Sequence, residues 1–253
     1  METTTLGWIL GLPLLGALVL SVLRNVLPEK VSGWLASLLV LGSFALTIGA
    51  LNELTGLAGG ALRQPVLDWG SGAFDLEFGL FADRIALWWL LVVTGVGFLI
   101  HVYSIEYMAG EKGYGRYFAE LNFFIFAMSL LVLADNFVGL LLGWANVGLA
   151  SFLLIGFWNE KPEALAAARK ALLINIAGEL GMVVALALMF VHFGAFDFAT
   201  VFARAGEVDP RAVSTIGFLL LLGILTKSAQ FPLHTWLPDA MQGPTPVSAL
   251  IHA

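Results

Sequence analysis

The stretch that decides the fold runs from Leu221 to Ala253 and reads LLGILTKSAQFPLHTWLPDAMQGPTPVSALIHA. An apolar run that starts near Val213 carries one lysine, Lys227, and is then interrupted by Pro232, Pro238, Pro244 and Pro246 before turning apolar again at Val247. Pro232 has no N–H, and its ring clashes with the carbonyl four residues back, so a helix through Lys227 has to kink or unwind there. In lipid the freed carbonyl needs a partner, and such breaks persist where protein or a water-filled cavity supplies one. A broken membrane helix with a charge beside the break is the pattern of transporters, whose discontinuous helices build ion sites near the bilayer midplane.

The rest of the chain fits a membrane setting. It has 253 residues, 59% of them hydrophobic and 12% charged, with a mean hydropathy of +0.91. An ordinary globular domain is about 45–50% apolar and about 25% charged. Basic stripes are absent and the net charge is −6, which argues against a nucleic-acid partner. With no cysteine, disulfides and cysteine-held iron–sulfur clusters are excluded from this chain. Four histidines without ligand spacing give no reason to expect a metal site. Neither GxxxxGK nor GxGxxG occurs, so phosphate and dinucleotide binding here is unsupported. The N-terminal run places Glu2 where a secretory signal has basic residues, and it is long enough to read as a retained first span.

A hydrocarbon core about 30 Å thick takes about 20 apolar residues per helix. That rule places spans at Leu6–Leu27, Val31–Leu51, Leu80–Tyr103, Tyr117–Leu133, Phe137–Trp158, Ala171–Val191 and Val213–Phe231. An eighth begins near Pro246, and the residues that remain cannot complete it, so the chain is expected to be a fragment of a longer protein. The expected fold is therefore an all-α polytopic membrane protein with seven complete spans, the seventh broken at proline, plus the start of an eighth. Residues 1–110 form one unit of three spans with an outer loop at 52–79, and residues 111–253 form a second. Within the loop, DWGSGAFDLEFGLFAD (68–83) alternates like a short hairpin. A short amphipathic helix is expected at Asp197–Ala205.

Loops after spans one, three and five hold Arg24, Lys30, Lys112, Arg116, Lys161, Arg169 and Lys170, against Arg63, Arg84, Arg204 and Arg211 after spans two, four and six. The basic bias puts the first set inside and the N-terminus on the outer face.

Two charges stand at membrane depth. Glu179 lies in the middle of span six, in LLINIAGELGMVVALAL. An ionisable group there costs about 2.5–3.5 kcal/mol on insertion scales, so it faces a cavity or a partner and marks an ion path. The bland alternative is hydrogen-bonded glue with Asn175, one turn away. Lys227 either snorkels from a helix that ends at Pro232 or, if Leu233–Ala240 continues as a second half-helix, sits near the midplane. At an effective dielectric near 20, a unit charge about 6 Å away changes a lysine's energy by about 2.8 kcal/mol, and one about 15 Å away by about 1.1 kcal/mol. Small movements of a neighbouring charge would therefore switch its protonation. His234 and His252 bracket the broken segment as candidate relay groups. Glu120 and Asp135 read as interfacial or capping residues. Gly7 with Gly11, and Gly139 with Gly143, fit close helix packing.

Four strings carry a family resemblance: VVTGVGFLIHVYSIEYM (92–108), LVLADNF (131–137), GWANVGLASFLLIGFW (143–158) and TKSAQFPLHTWLPDAMQGPTPVSALIHA (226–253). Together they resemble the antiporter-like membrane subunits of respiratory complex I, the NADH:quinone oxidoreductases, most closely the subunit L type. Sodium/proton antiporter subunits of the Mrp type are the near alternative. The resemblance implies fourteen core helices with two inverted five-helix repeats, of which only the first is present here, incomplete at its end. It implies that Lys227 is the proton-carrying lysine of the broken helix, that His252 and Lys170 match a histidine and a lysine of the relay, and that Glu179 stands where an aspartate is usual. It implies a bacterial inner-membrane location, other membrane and hydrophilic complex I subunits as partners along with the lipid bilayer, and no cofactor in this chain. NADH, FMN, iron–sulfur clusters and quinone would lie in partner subunits.

One departure stands out. The family's fifth helix reads GWEGVG, with the glutamate as charge partner of the lysine, whereas this chain has Ala145 there, and Ile176 where arginine is common. That motivates a third reading, a non-pumping structural or truncated form.

Overall fold

The computed structural model describes residues 3–55, 60–71 and 74–252. Seven of its helices are long and apolar enough to cross a membrane: α1 (Thr5–Leu23), α2 (Glu29–Thr55), α3 (Arg84–Tyr107), α4 (Tyr114–Leu133), α5 (Phe137–Ile155), α6 (Pro162–Phe193) and α8 (Pro210–Lys227). A hairpin of β1 (Leu62–Ser71) and β2 (Phe74–Ala82) follows α2, and the short α7 (Phe198–Arg204) follows α6. This is an all-α polytopic membrane fold with one two-stranded ribbon.

Each boundary has a local cause. Asp83 caps α3 by accepting from the Ala86 N–H at 2.8 Å, Asn136 caps α5 through Gly139 at 2.7 Å, and Asp197 caps α7 through Thr200 at 2.7 Å. Pro162 and Pro210 sit in the first turns of α6 and α8, where a missing N–H is harmless. Gly194 ends α6 in the left-handed region at φ 66°.

Several expected boundaries shift. The hairpin begins at Leu62 rather than Asp68, with Leu62 paired to Ala82, and its tip at 72–73 lies outside the described residues. Leu80 belongs to β2, so the third span starts at Arg84, just past the Asp83 cap. The fifth span stops at Ile155, before Trp158, because Gly156 caps it. The sixth starts nine residues earlier than expected, because EALAAARK is strongly helix-forming without being apolar. At 32 residues α6 is about 48 Å long. Arg169 and Lys170 are therefore inside this helix rather than flanking it.

The seventh span ends at Lys227, not Phe231, and Leu233–Ala240 is not a half-helix. It forms a 3₁₀ turn (Leu233–Thr235), one α-helical turn, α9 (Trp236–Asp239), and a second 3₁₀ turn (Ala240–Gln242), before α10 (Thr245–His252). Prolines at 232 and 238 keep the segment from running as one helix. The Phe231–Pro232 peptide is cis.

Helices α1 to α4 pack on one another, α5 packs on α4, α6 on α5, and α8 on α6 at the edge. Tyr117, Phe118, Leu121 and Ile125 of α4 are fully buried among α1, α2 and α3, which makes α4 the centre of the main core. Gly143 takes its place in helix packing, since a Cβ there would come 2.5 Å from the Leu131 backbone. Gly7 does not; its N–H donates to Gln64 of β1 at 2.7 Å, and Gly11 faces open space.

The loops sort to two ends. At one, the hairpin meets the α4–α5 turn and α7: Asn136 donates to the Glu77 carbonyl at 2.9 Å, and the Phe137 N–H to Phe196 at 3.0 Å. Thr3 joins this end by donating to Arg63 at 3.1 Å. At the other, the Gly110 N–H reaches Glu29 at 3.1 Å and Lys112 pairs with Glu160 at 2.5 Å. The alternation required of a multi-pass chain is thus complete.

Candidate functional site

The site forms where α8 breaks. Its last turn closes in a Schellman arrangement: the Gln230 N–H bonds the Leu225 carbonyl at 3.0 Å, and the Ala229 N–H bonds Thr226 at 3.2 Å. Ala229 takes the left-handed conformation at φ 49°, a position usually held by glycine. The Thr226 carbonyl gains a further donor, the Trp236 indole Nε1 at 2.9 Å. Unpaired carbonyls at a break in a membrane-spanning helix are costly, and this indole supplies one of them with a partner. Lys227 is the last residue before the unwound chain.

From that terminus Lys227 reaches into the α5–α6–α8 interior. Its Nζ lies 3.6 Å from Glu179 Oε1 on α6, with the two side chains 18% and 16% exposed. That is within ion-pair range but too long for a hydrogen bond, and neither atom has a hydrogen-bond partner. Trp144 of α5 presents its ring 5.8 Å from Nζ. Gly148, one turn further along α5, leaves room for the pair: a Cβ there would stand 2.9 Å from Glu179 Oε1 and 3.0 Å from Lys227 Nζ. Gly178, next to Glu179, admits the Thr226 hydroxyl in the same way.

Trp144 Nε1 and Asn175 Oδ1 are also buried without partners. By helical spacing they lie one turn from Gly148 and Glu179 respectively, so four unpartnered polar atoms line one interior. Asn175 is not the glue partner of Glu179; it donates back to the Ala171 carbonyl of its own helix at 2.8 Å.

The remaining sequence candidates fall elsewhere. Lys170 is ion-paired to Asp239 of α9 at 2.8 Å. His234 is exposed and stacks on Phe231 with centroids 5.7 Å apart, and His252 is exposed on α10. No interaction found among the described residues joins either histidine to Lys227 or Glu179. Glu120 is not a cap, because α4 begins earlier, at Tyr114. Its side chain is 11% exposed, 3.6 Å from Arg116, with Oε2 unpartnered. At the α4–α5 turn the cap is Asn136, and the neighbouring Asp135 accepts from its side-chain amide at 2.8 Å. Burial holds the Asp135 carboxyl above its ordinary range.

Sequence reasoning missed Asp239, Trp144 and Gly148 as neighbours of the charged residues. It also missed His101, which is fully buried. One ring nitrogen of His101, Nδ1, lies 2.7 Å from the Gly97 carbonyl, and the other is 3.3 Å from the Asn122 amide. Bonding the carbonyl requires a proton on Nδ1, which leaves Nε2 to accept from Asn122. The only available signal was a histidine inside an otherwise apolar helix. Among the described residues no group of acidic, histidine or cysteine side chains is placed to hold a metal.

Known proteins resemble this chain in sequence and fold. Residues 134–253 match the model described as NADH:quinone oxidoreductase/Mrp antiporter, transmembrane, and residues 69–118 match that of the complex I NADH-ubiquinone oxidoreductase chain 5 N-terminus. The chain belongs to this antiporter-like membrane-subunit family. It is 44% identical over 259 residues to NADH-quinone oxidoreductase subunit L of Mycobacterium tuberculosis, covering 99% of this chain and 41% of that protein. It is likewise 44% identical over 250 residues to subunit L of Escherichia coli, covering 96% and 40%. The chain thus spans about two fifths of the length of these relatives. Among solved structures, the Mrp complex from a Dietzia species superposes with a TM-score of 0.81 at 30% identity, covering 99% of this chain and 26% of that one. An archaeal membrane-bound sulfane sulfur reductase superposes at 0.86 with 18% identity, covering 99% and 50%, a likeness of fold alone.

Proposed function

We propose that this chain is part of a proton-translocating membrane subunit of a complex I-like NADH:quinone oxidoreductase, and that protons pass through Lys227 and Glu179. The observation that carries the reading is the buried, non-hydrogen-bonded ion pair at the end of a broken helix. Ionisable groups this deep in a membrane fold mark ion paths, and a pair at 3.6 Å separates or closes with small movements of either helix. The unpartnered Trp144, Asn175, Glu179 and Lys227 atoms offer the donors and acceptors that bridging water needs to carry a proton between them.

In this reading the redox chemistry of NADH, FMN, iron–sulfur clusters and quinone belongs to partner subunits, and this chain holds none of those groups. It lies in a bacterial inner membrane with the hairpin end and the N-terminus outside, as the basic residues at the opposite end favour. Lys170, His234 and His252 serve as more distant relay groups of the longer protein.

The test is Lys227→Ala and Glu179→Gln in the full-length protein within its assembled complex, scoring protons moved per electron pair. Both variants are expected to lower that ratio while electron transfer persists, and an unchanged ratio refutes the proposal. A second reading, sodium/proton exchange, draws on the likeness to the Mrp complex. It requires sodium-dependent proton movement in vesicles, and indifference to sodium removes it.

A further inference from the structure

The broken segment is tied to α6 at both ends, by two ion pairs of opposite sense. At its start α8 supplies the cation and α6 the anion, Lys227 with Glu179 at 3.6 Å. At its far end α6 supplies the cation and α9 the anion, Lys170 with Asp239 at 2.8 Å. The two anchor residues on α6 are nine positions apart, about 13.5 Å along the helix axis. Asp239 lies twelve positions after Lys227, which as a continued helix would cover about 18 Å. The segment is therefore a strap whose length is fixed by the spacing of its anchors on α6.

A mechanical link joins the two ends. Asp239 closes the single helical turn that begins at Trp236. Trp236 is 4% exposed, packs with Ala167, Ala168 and Ala171 of α6, and donates its indole N–H to the carbonyl of Thr226, the residue beside Lys227. A shift of Asp239 along α6 therefore reaches Lys227 through one turn and one hydrogen bond.

From this geometry we infer that Asp239, held by Lys170, is a positioning residue that sets the separation of the Lys227–Glu179 pair. The inference rests on the proton-path reading for its functional consequence, but not for the geometry itself. The Lys170 and Asp239 side chains are each about 42–43% exposed, so the pair adds little to global stability and its effect is local to the strap.

The experiment uses the full-length chain in its native membrane complex, with two readouts: labelling of Glu179 by the apolar reagent dicyclohexylcarbodiimide, followed by peptide mass spectrometry, and protons moved per electron pair. Asp239→Asn is expected to accelerate Glu179 labelling several-fold and to lower the proton ratio, with the thermal midpoint of the complex unchanged. Asp239→Glu is expected to bring both readouts back toward the parent, and the exchange of Lys170→Asp with Asp239→Lys to bring back the labelling rate. Labelling by Asp239→Asn at the parent rate, or equal behaviour of Asp239→Asn and Asp239→Glu, overturns the inference. Should Asp239→Asn not assemble, Lys170→Gln cuts the same tie from the α6 side and carries the labelling test. If Lys227→Ala leaves pumping intact while Asp239→Asn still speeds labelling, the proton path falls and the strap stands. If Lys227→Ala abolishes pumping and Asp239→Asn changes neither readout, the strap falls alone.

Discussion

Gly148→Ala is the most sensitive probe of the site, because it adds one methyl group where there is no space for it. The new Cβ would lie 2.9 Å from Glu179 Oε1 and 3.0 Å from Lys227 Nζ. Restoring ordinary contact requires each charged atom to retreat from the methyl by roughly half an ångström, which opens the pair from 3.6 Å to about 4.2 Å. With an effective dielectric near 20, the attraction falls from about 4.6 to about 4.0 kcal/mol, a loss of about 0.7 kcal/mol. That is about a threefold change in how often the pair is closed. Helix propensity acts the other way, since alanine favours a helix interior over glycine by about 1 kcal/mol, so α5 itself is not weakened. The expected result is a complex of near-normal thermal stability that moves fewer protons per electron pair, measured by the pH change of sealed vesicles during NADH oxidation. Gly49→Ala is the control: it lies on α2, where a Cβ meets nothing within 4 Å, and it should leave pumping unchanged. Gly148→Ala with the parent's proton ratio would refute the claim that the closeness of Lys227 and Glu179 matters.

Other perturbations test the scaffold. Trp236→Phe keeps the packing but removes the donor to the Thr226 carbonyl, and is expected to lower stability by about 1–3 kcal/mol in detergent melting. Ala229→Gly relieves the left-handed backbone at φ 49° and should stabilise by about 1 kcal/mol, read as a higher melting temperature. Asn136→Ala removes the α5 cap and the bond to the Glu77 carbonyl, and should cost about 1–2 kcal/mol by the same assay. Asp135 lies outside the spans with its folded pKa raised above 3.8 by burial, so the native state holds its proton more tightly than the unfolded one. Stability should therefore fall as pH rises from near 3.8 through the folded value, and Asp135→Asn should remove that slope from melting curves taken across the window.

The seven spans were legible because crossing a bilayer requires long apolar runs, and the chain leaves few other ways to arrange them. The α6 boundary was not, since Pro162–Lys170 is helix-forming by propensity rather than hydropathy. A break near Pro232 was legible, because a proline's missing N–H is a local fact, but the helix ends at Lys227, four residues before the expected Phe231. What followed the break was not legible: two 3₁₀ turns and one α-helical turn depend on Trp236 finding the Thr226 carbonyl and on an alanine face of α6 that lets the indole approach. The same limit applies to the charges. Glu179 and Lys227 were each visible as isolated ionisable groups at depth, but their meeting at 3.6 Å depends on how α6 and α8 cross. Asp239 looked like an ordinary turn residue in WLPDAM, and only the fold brings it to Lys170.

Ala145 bears on how the site works without the carboxylate that related chains carry in α5. Ala145 is partly exposed and lies one helical turn before Gly148, the residue that abuts the ion pair. A glutamate there would approach Lys227 from α5 while Glu179 approaches from α6, so the lysine would have two competing partners. Here it has one, and the α5 side offers the Trp144 ring at 5.8 Å in its place. An aromatic face attracts an ammonium by about 0.5–2 kcal/mol, less than the roughly 4.6 kcal/mol of the ion pair at dielectric 20. Of these two neighbours Glu179 is therefore the stronger partner of Lys227, and the movement that matters is that of α6 against α8. Ala145→Glu should add a second position for the lysine and raise the proton ratio if transfer between carboxylates limits the rate. A ratio that stays at the parent value would show that α6 alone suffices as the partner helix.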